Sequence, residues 1–206
     1  MLGKFIAFEG IDGAGKSSLI KMLFEKLSST QKLYVTAEPT KNGAGVLIRE
    51  ILNGQREGDE QTIAALFLAD RIDHLTHPQY GMLKFLNEGT HVITDRYYLS
   101  SYAYHVPYVT LDWVIEANSI CAQLRRPDIT FYIDISVEES LKRLSKGRSE
   151  LDKFENKERI TRVRSNYFEA IEKVKANENI VIINGERSFE NVYQDVFDHI
   201  SKLLRS

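Results

Sequence analysis

Five short apolar runs, separated by stretches of helical period, organise this chain. The runs are Lys4–Phe8, Lys32–Ala37, His91–Asp95, Ile129–Ile135 and Ile180–Asn184. Each is nearly continuous in apolar residues rather than alternating, the pattern of strands buried on both faces. Between them the period becomes helical. Leu19, Met22, Leu23 and Leu27 fall on one helix face. Phe189, Val192, Val196 and Ile200 do the same near the C-terminus, with Ser188 placed as the N-cap. The stretch Ser136-Val137-Glu138-Glu139 fits a capping box that opens a helix through Leu141 and Leu144. Strands alternating with helices predict an α/β fold, a five-stranded parallel sheet flanked by helices on both faces.

Composition narrows the picture. The 206 residues suit one domain, 1–206. With 12 Gly and 4 Pro, and no repeat or low-complexity tract, no linker divides it. A lone cysteine, Cys121, excludes an internal disulfide framework and a Cys-based zinc finger, and reads as a small apolar residue. No apolar run approaches the roughly 18 residues of a membrane span. The N-terminal run is too short for a signal sequence, so a cytoplasmic protein is expected. The charge of 27 Lys+Arg against 29 Asp+Glu gives −2, which argues against a broad nucleic-acid surface. The average hides an asymmetry. Lys142 to Arg164 holds nine Lys/Arg and four Asp/Glu, a local +5 that leaves −7 elsewhere.

The first run leads into chemistry. Gly10-Ile11-Asp12-Gly13-Ala14-Gly15-Lys16-Ser17 matches G-x-x-x-x-G-K-[ST], after a strand and before a helix, as that motif requires. Glycines let backbone N–H groups curl around phosphate, and the helix N-terminus adds its positive end. Lys16 would reach the β- and γ-phosphates, and Ser17 would hold Mg²⁺, with Ser18 next in line. The loop implies a nucleoside triphosphate without naming the reaction. Asp95 ends the third run, where a second carboxylate can organise Mg²⁺. Arg96 beside it suits a second anionic phosphate. His74 and His77 lie near Asp70 and Asp73, but read better as surface histidines than as metal ligands. Trp113 reads as core or interface.

Several motifs in order resemble the thymidylate kinase family. They are Phe8-Glu9-Gly10 with its P-loop, Glu38-Pro39, Leu66-Phe67-Leu68-Ala69-Asp70-Arg71, and Asp95-Arg96-Tyr97 with Ser100-Ser101 and Ala103-Tyr104. Arg126-Pro127-Asp128, Asp134, Leu141-Lys142-Arg143 and Phe154-Glu155 follow. The resemblance implies a P-loop NTPase fold and transfer of the γ-phosphoryl of ATP to dTMP, with Mg²⁺ as cofactor. It also implies a homodimer.

Roles follow from the resemblance. Phe67 would stack on thymine, and Arg71, four residues on, would hydrogen-bond the base. Arg96 would hold the dTMP phosphate, Asp12 the sugar 3′-hydroxyl, and Tyr104 would lie against C2′. Glu38, Pro39, Arg49, Ser100 and Ser101 would line the acceptor cleft. The basic segment resembles a lid, about 143–155, with Arg143 packing on adenine. Asn184, Gly185 and Arg187 resemble the adenine-side loop. Gly13 stands where some members carry a catalytic Arg, so Arg148 in the lid is the expected substitute, with Lys146 beside it. The catalytic set is then Lys16, Asp95, Arg96 and Arg148. Ala37, Thr40-Lys41 and His105-Val106-Pro107-Tyr108 depart from the commoner pattern. A P-loop kinase of another nucleoside monophosphate or of a deoxynucleoside is the nearest rival, with Glu38 as a possible base. An NTP-driven switch is a rival of another class, and the Asn-Lys-x-Asp element that selects guanine is missing.

Overall fold

The computed structural model describes residues 2–106, 108–144 and 150–205, without the side chains of 150–156. All five expected strands form: β1 (Phe5–Glu9), β2 (Leu33–Ala37), β3 (His91–Asp95), β4 (Ile129–Asp134) and β5 (Ile180–Asn184). They make one parallel sheet in the order β2-β3-β1-β4-β5. Parallel neighbours need crossovers; of the nine helices among the described residues, eight lie between strands and the ninth follows β5. These are α1 (Lys16–Leu27), α2 (Gly43–Leu52), α3 (Glu60–Thr76), α4 (Met82–Asn87), α5 (Tyr98–Tyr104), α6 (Leu111–Leu124), α7 (Val137–Leu144), α8 (Glu150–Val174) and α9 (Phe189–Arg205).

The strand order reverses around β1, so the C-terminal ends of β1 and β3 open a crevice, where α/β sheets bind ligands. Central β1 is buried at every position. The expectation of burial on both faces fails at the sheet edges. Val35 of β2 and Ile182 of β5 are exposed because each edge strand has one neighbour. Two helix faces also need correction. Leu19, Ile20, Leu23 and Leu27 are buried while Met22 points outward. At about 100° per residue, Ile20 falls only about 20° beyond the arc that the leucines cover, and Met22 about 60° beyond its other edge. In α9, Val192, Val196 and Ile200 are buried but Phe189 is half-exposed over a cavity.

The caps are partly as expected. Asn191 N–H donates to Ser188 Oγ at 3.3 Å. Glu139 N–H donates to Ser136 Oγ at 3.2 Å. The reciprocal half of that box is absent, since Ser136 N–H donates to Glu186 Oε1 at 2.8 Å instead. No helix among the described residues is long and apolar enough to cross a membrane.

Candidate active site

The loop between β1 and α1 takes its shape from glycine. Gly10 has φ 139, and a Cβ there would sit 2.6 Å from the Ile133 carbonyl oxygen. Gly13 has φ 78, and a Cβ there would press on the Ser140 carbonyl at 3.2 Å. Lys16 folds back into the loop. Its Nζ donates to the carbonyls of Gly10 at 3.0 Å and Ile11 at 3.2 Å. Burial, and then the charge of Arg96, lowers its pKa to about 8.

Asp12 through Ser18, with Arg143, Gly185, Arg187 and Phe189, line a cavity of about 640 Å³. Gly10 and Ile11 do not face it and contribute carbonyls behind it. Arg143 closes one wall, donating to Glu139 at 2.7 Å and to the carbonyls of Gly13 and Gly185, both at 3.1 Å. It thereby ties the phosphate loop to the loop after β5. Arg187 pairs with Asp195. Lys146 and Arg148 lie outside the described residues. The described ends of the expected lid belong to α7 and α8.

Ser17 Oγ donates to Asp95 Oδ2 at 2.7 Å, and Asp95 Oδ1 is buried with no partner among the described residues. A hydroxyl beside a carboxylate with a spare oxygen, next to a phosphate loop, fits a hard divalent cation.

Arg96 is the junction. Its φ of 73 is the one positive φ outside glycine among the described residues. The guanidinium donates to Asp12 Oδ1 at 2.6 Å, Ser100 Oγ at 3.0 Å, Tyr104 Oη at 3.1 Å and Tyr167 Oη at 3.2 Å. Loss of solvent pushes the Asp12 carboxyl up, but Arg96 and Lys16 outweigh it and hold its pKa below the ordinary value.

Beneath Arg96 lies Glu9, a fully buried carboxylate to which the sequence reading gave no role. It accepts from Tyr97 N–H at 2.8 Å, Ser100 Oγ at 2.5 Å and Tyr167 Oη at 3.0 Å. Burial raises its pKa against these bonds. Glu9 and Tyr167 hold the start of α5 under the phosphate loop. Tyr167 is 71 residues from Arg96, so local pattern could not have paired them.

A second cavity, of about 490 Å³, lies on the other side of Arg96. It shares Asp12, Glu38 and Arg96 with the first. Pro39, Phe67, Ser100, Ser101 and Tyr104 line it, as expected of an acceptor cleft. The two serines differ. Ser100 is bonded to Glu9, whereas Ser101 Oγ is buried without a partner among the described residues. Arg71 is not on this wall. It is buried, bonded to Glu38 at 2.8 Å and 2.6 Å, to Asn118 at 2.6 Å and to the Tyr97 carbonyl at 3.3 Å. Nor does Arg49 line it. Its guanidinium donates to the carbonyls of Pro39 and Thr40, beside a separate cavity of about 550 Å³.

His74 is not at the surface as expected. It is buried between Thr36 Oγ1 at 2.7 Å and Glu38 Oε1 at 3.2 Å, and helps orient Glu38. His105, noted in the sequence only as part of a departure from the commoner pattern, also lines the second cavity, as do Arg159 and Arg162, which were not singled out. The only signal for the two arginines was the basic bias of their segment. Trp113 is half-exposed, so it is not core, while Cys121 is buried and its thiol is pushed up to about 11 by burial.

A phosphate loop on a parallel sheet, with a second nucleotide-sized cleft meeting it at an arginine, defines a P-loop phosphotransferase of small molecules. Comparison with known proteins sharpens the class. A family model described as thymidylate kinase matches residues 8–196. A probable thymidylate kinase of Methanococcus aeolicus is 33% identical over 98% of this chain and 97% of its own. One of Thermococcus gammatolerans is 37% identical over 100% and 99%. One of Pyrococcus horikoshii is 36% identical over 95% of each. The chain belongs to the thymidylate kinase family.

Proposed function

We propose that this chain transfers the γ-phosphoryl group of ATP to dTMP, giving ADP and dTDP. The observation that carries the reading is the sharing of Asp12, Glu38 and Arg96 by two cavities, one built on the phosphate loop and one faced by Phe67. ATP takes the first, with Asp12 to Ser18, Arg143 and Arg187 around it. Phe189 offers an apolar wall to the adenine side. dTMP takes the second, its base on Phe67 and its phosphate toward Arg96.

The acceptor phosphate has a second pKa near about 6, so it is largely ionised at neutral pH and no general base is needed. Glu38 would serve as base in a deoxynucleoside kinase, but its two oxygens are engaged by His74 and Arg71. Lys16 and Arg96 bring positive charge to opposite sides of the reacting phosphates. Ser17 and Asp95 would hold Mg²⁺, which supplies charge for the phosphate oxygens. Alignment and charge neutralisation in a closed cleft do the rest. Arg148 completes the cationic set.

A homodimer is part of the proposal. Trp113, Ile120 and Leu124 form one exposed apolar stripe on α6, which suits an interface. So is action in the cytoplasm, where ATP and dTMP are found together.

The test is Mg²⁺- and dTMP-dependent formation of ADP from ATP. If dTMP gave no more ADP than water, while another monophosphate did, the thymine assignment would be wrong.

A further inference from the structure

The two terminal nitrogens of Arg96 have different partners. Nη2 donates to Asp12 Oδ1 at 2.6 Å and to Tyr104 Oη at 3.1 Å, both on the acceptor cavity. Nη1 donates to Ser100 Oγ at 3.0 Å, Tyr167 Oη at 3.2 Å and the Gly10 carbonyl at 3.3 Å. The two hydroxyls are 2.8 Å apart and both reach Glu9 Oε2, Ser100 at 2.5 Å and Tyr167 at 3.0 Å. The other oxygen, Oε1, accepts from the N–H groups of Tyr97 at 2.8 Å and Ser100 at 3.1 Å. Glu9 is 0% exposed and lines neither nucleotide cavity. It can act on a ligand only through its neighbours.

The arrangement has a polarity. Four donors meet the four lone-pair sites of one carboxylate. Each hydroxyl carries a single proton, and a carboxylate is the stronger acceptor for it. With that proton given to Glu9, each hydroxyl turns lone pairs toward Nη1, which needs acceptors. Burial pushes the Glu9 carboxyl up, and Ser100, Arg96, Tyr97 and Tyr167 oppose that rise. The backbone of Arg96 is also held in place. Its φ of 73 is left-handed, and a residue other than glycine keeps that conformation only where its surroundings over-determine it. Arg96 N–H donates to the Phe8 carbonyl at 2.9 Å, and Thr94 Oγ1 donates to the Arg96 carbonyl at 2.9 Å.

We propose that Glu9 is a positioning residue for the acceptor phosphate, setting Arg96 through the hydroxyls of Ser100 and Tyr167. This rests on the reading of the chain as a dTMP kinase and goes beyond it by adding a residue that never touches the substrate. Glu9→Gln shows why polarity matters. The amide must place its NH₂ group against the two hydroxyls or against the two N–H groups. In the first case the hydroxyl protons turn toward Nη1, donor against donor. In the second, the start of α5, which carries Ser100, loses its anchor. Either way Nη1 loses acceptors, and the guanidinium must be ordered again when phosphate arrives, which weakens binding.

The experiment is calorimetric titration of the full chain with dTMP and with thymidine, which lacks the phosphate. The wild type is compared with Glu9→Gln, Tyr167→Phe and the double variant. Glu9→Gln is expected to weaken dTMP about tenfold or more, the scale for a lost hydrogen bond to a charged group, and thymidine less than about twofold. Tyr167→Phe removes one of the two hydroxyls and should weaken dTMP about threefold, again sparing thymidine. The double variant should be within about twofold of Glu9→Gln alone, because both changes act on one path.

Equal losses of dTMP and thymidine in Glu9→Gln mark a purely structural role and overturn the proposal. So does unchanged or tighter dTMP binding, the second being the result if Glu9 only offsets the charge of Arg96. A double variant whose loss is the product of the two single losses overturns it too. If Glu9→Gln does not fold, Tyr167→Phe decides: a selective loss of dTMP supports the proposal, and an unchanged ratio of dTMP to thymidine affinity overturns it. A wild type that does not turn over dTMP is a failure of the underlying reading instead.

Discussion

The Ser17 hydroxyl donates to Asp95 Oδ2 at 2.7 Å, tying the start of α1 to the end of β3 across the mouth of the sheet. That bond leaves Oδ1 of Asp95 buried and unpaired among the described residues. A carboxylate oxygen without a partner is costly unless something arrives to use it. Asp95→Asn keeps the shape and removes the charge. It should reduce kcat by about 10²- to 10³-fold, the scale for losing a placed electrostatic group. The Mg²⁺ concentration for half-maximal rate should rise, with the KM for dTMP nearly unchanged. Normal Mg²⁺ dependence in this variant would move the metal away from Asp95.

Lys16 sets a pH limit on ATP binding. Burial and Arg96 lower its pKa to about 8 in the free protein. Bound phosphates favour the charged amine, so the pKa in the complex is higher than in the free protein. Affinity is then constant below the free value and weakens as pH rises between the two. Calorimetric titration of ATP should show this loss beginning near about pH 8 in the wild type. Lys16→Met should bind ATP weakly, with no such step.

Phe67 lines the second cavity and is the proposed stacking surface for the acceptor base. Stacking of a base on an aromatic ring contributes about 1–3 kcal/mol. Phe67→Ala should therefore raise the KM for dTMP roughly 5- to 150-fold. The KM for ATP should stay within about twofold, because Phe67 does not line the ATP cavity. A matching rise for ATP would point to a fold defect rather than a lost stack.

Local signals made much of this legible. The five runs became five strands, and the phosphate loop and Asp95-Arg96 stand at the ends of β1 and β3. What stayed hidden depends on contacts between distant segments. Glu9 reads as a neighbour of the phosphate loop, yet its partners are Tyr97, Ser100 and Tyr167. Arg71 falls on the same helical face as Phe67, but Glu38, 33 residues away, and Asn118, 47 away, claim its guanidinium. His74 looked exposed because its burial depends on β2 and Glu38, which periodicity within α3 does not report. Val35 and Ile182 misled in the opposite sense, since strand order alone decides which apolar runs become edges.

The stripe of Trp113, Ile120 and Leu124 on α6 predicts a weak point in assembly. Each of these side chains is exposed in the single chain. Placing a charge in an apolar interface leaves it desolvated and unpaired. Trp113→Glu should shift the protein from dimer to monomer in sedimentation at micromolar concentration, with helix content unchanged by circular dichroism. A dimer that persists would place the interface on another face.

Most cations around the donor cavity are already engaged. Gly13 offers no side chain, and its φ of 78 disfavours any replacement. Arg143 is held by Glu139, Gly13 and Gly185, so moving it onto the transferred phosphoryl would break the wall it closes. Arg96 lines both cavities and is held by Asp12 and Ser100. Arg159 lies over the acceptor cavity and not over the donor one. We propose Arg148 as the cation on the transferred phosphoryl, with Lys146 the alternative, because the resemblance to the family puts both in the lid. A cation acting only as the phosphoryl moves lowers kcat and kcat/KM together and spares ground-state binding. Arg148→Ala should thus lower kcat about tenfold or more and leave dTMP binding unchanged in equilibrium titration. Arg159→Ala should instead raise the KM for dTMP, with kcat within about threefold of wild type. The reverse pattern in the two variants would assign the transition-state charge to α8 rather than to the lid.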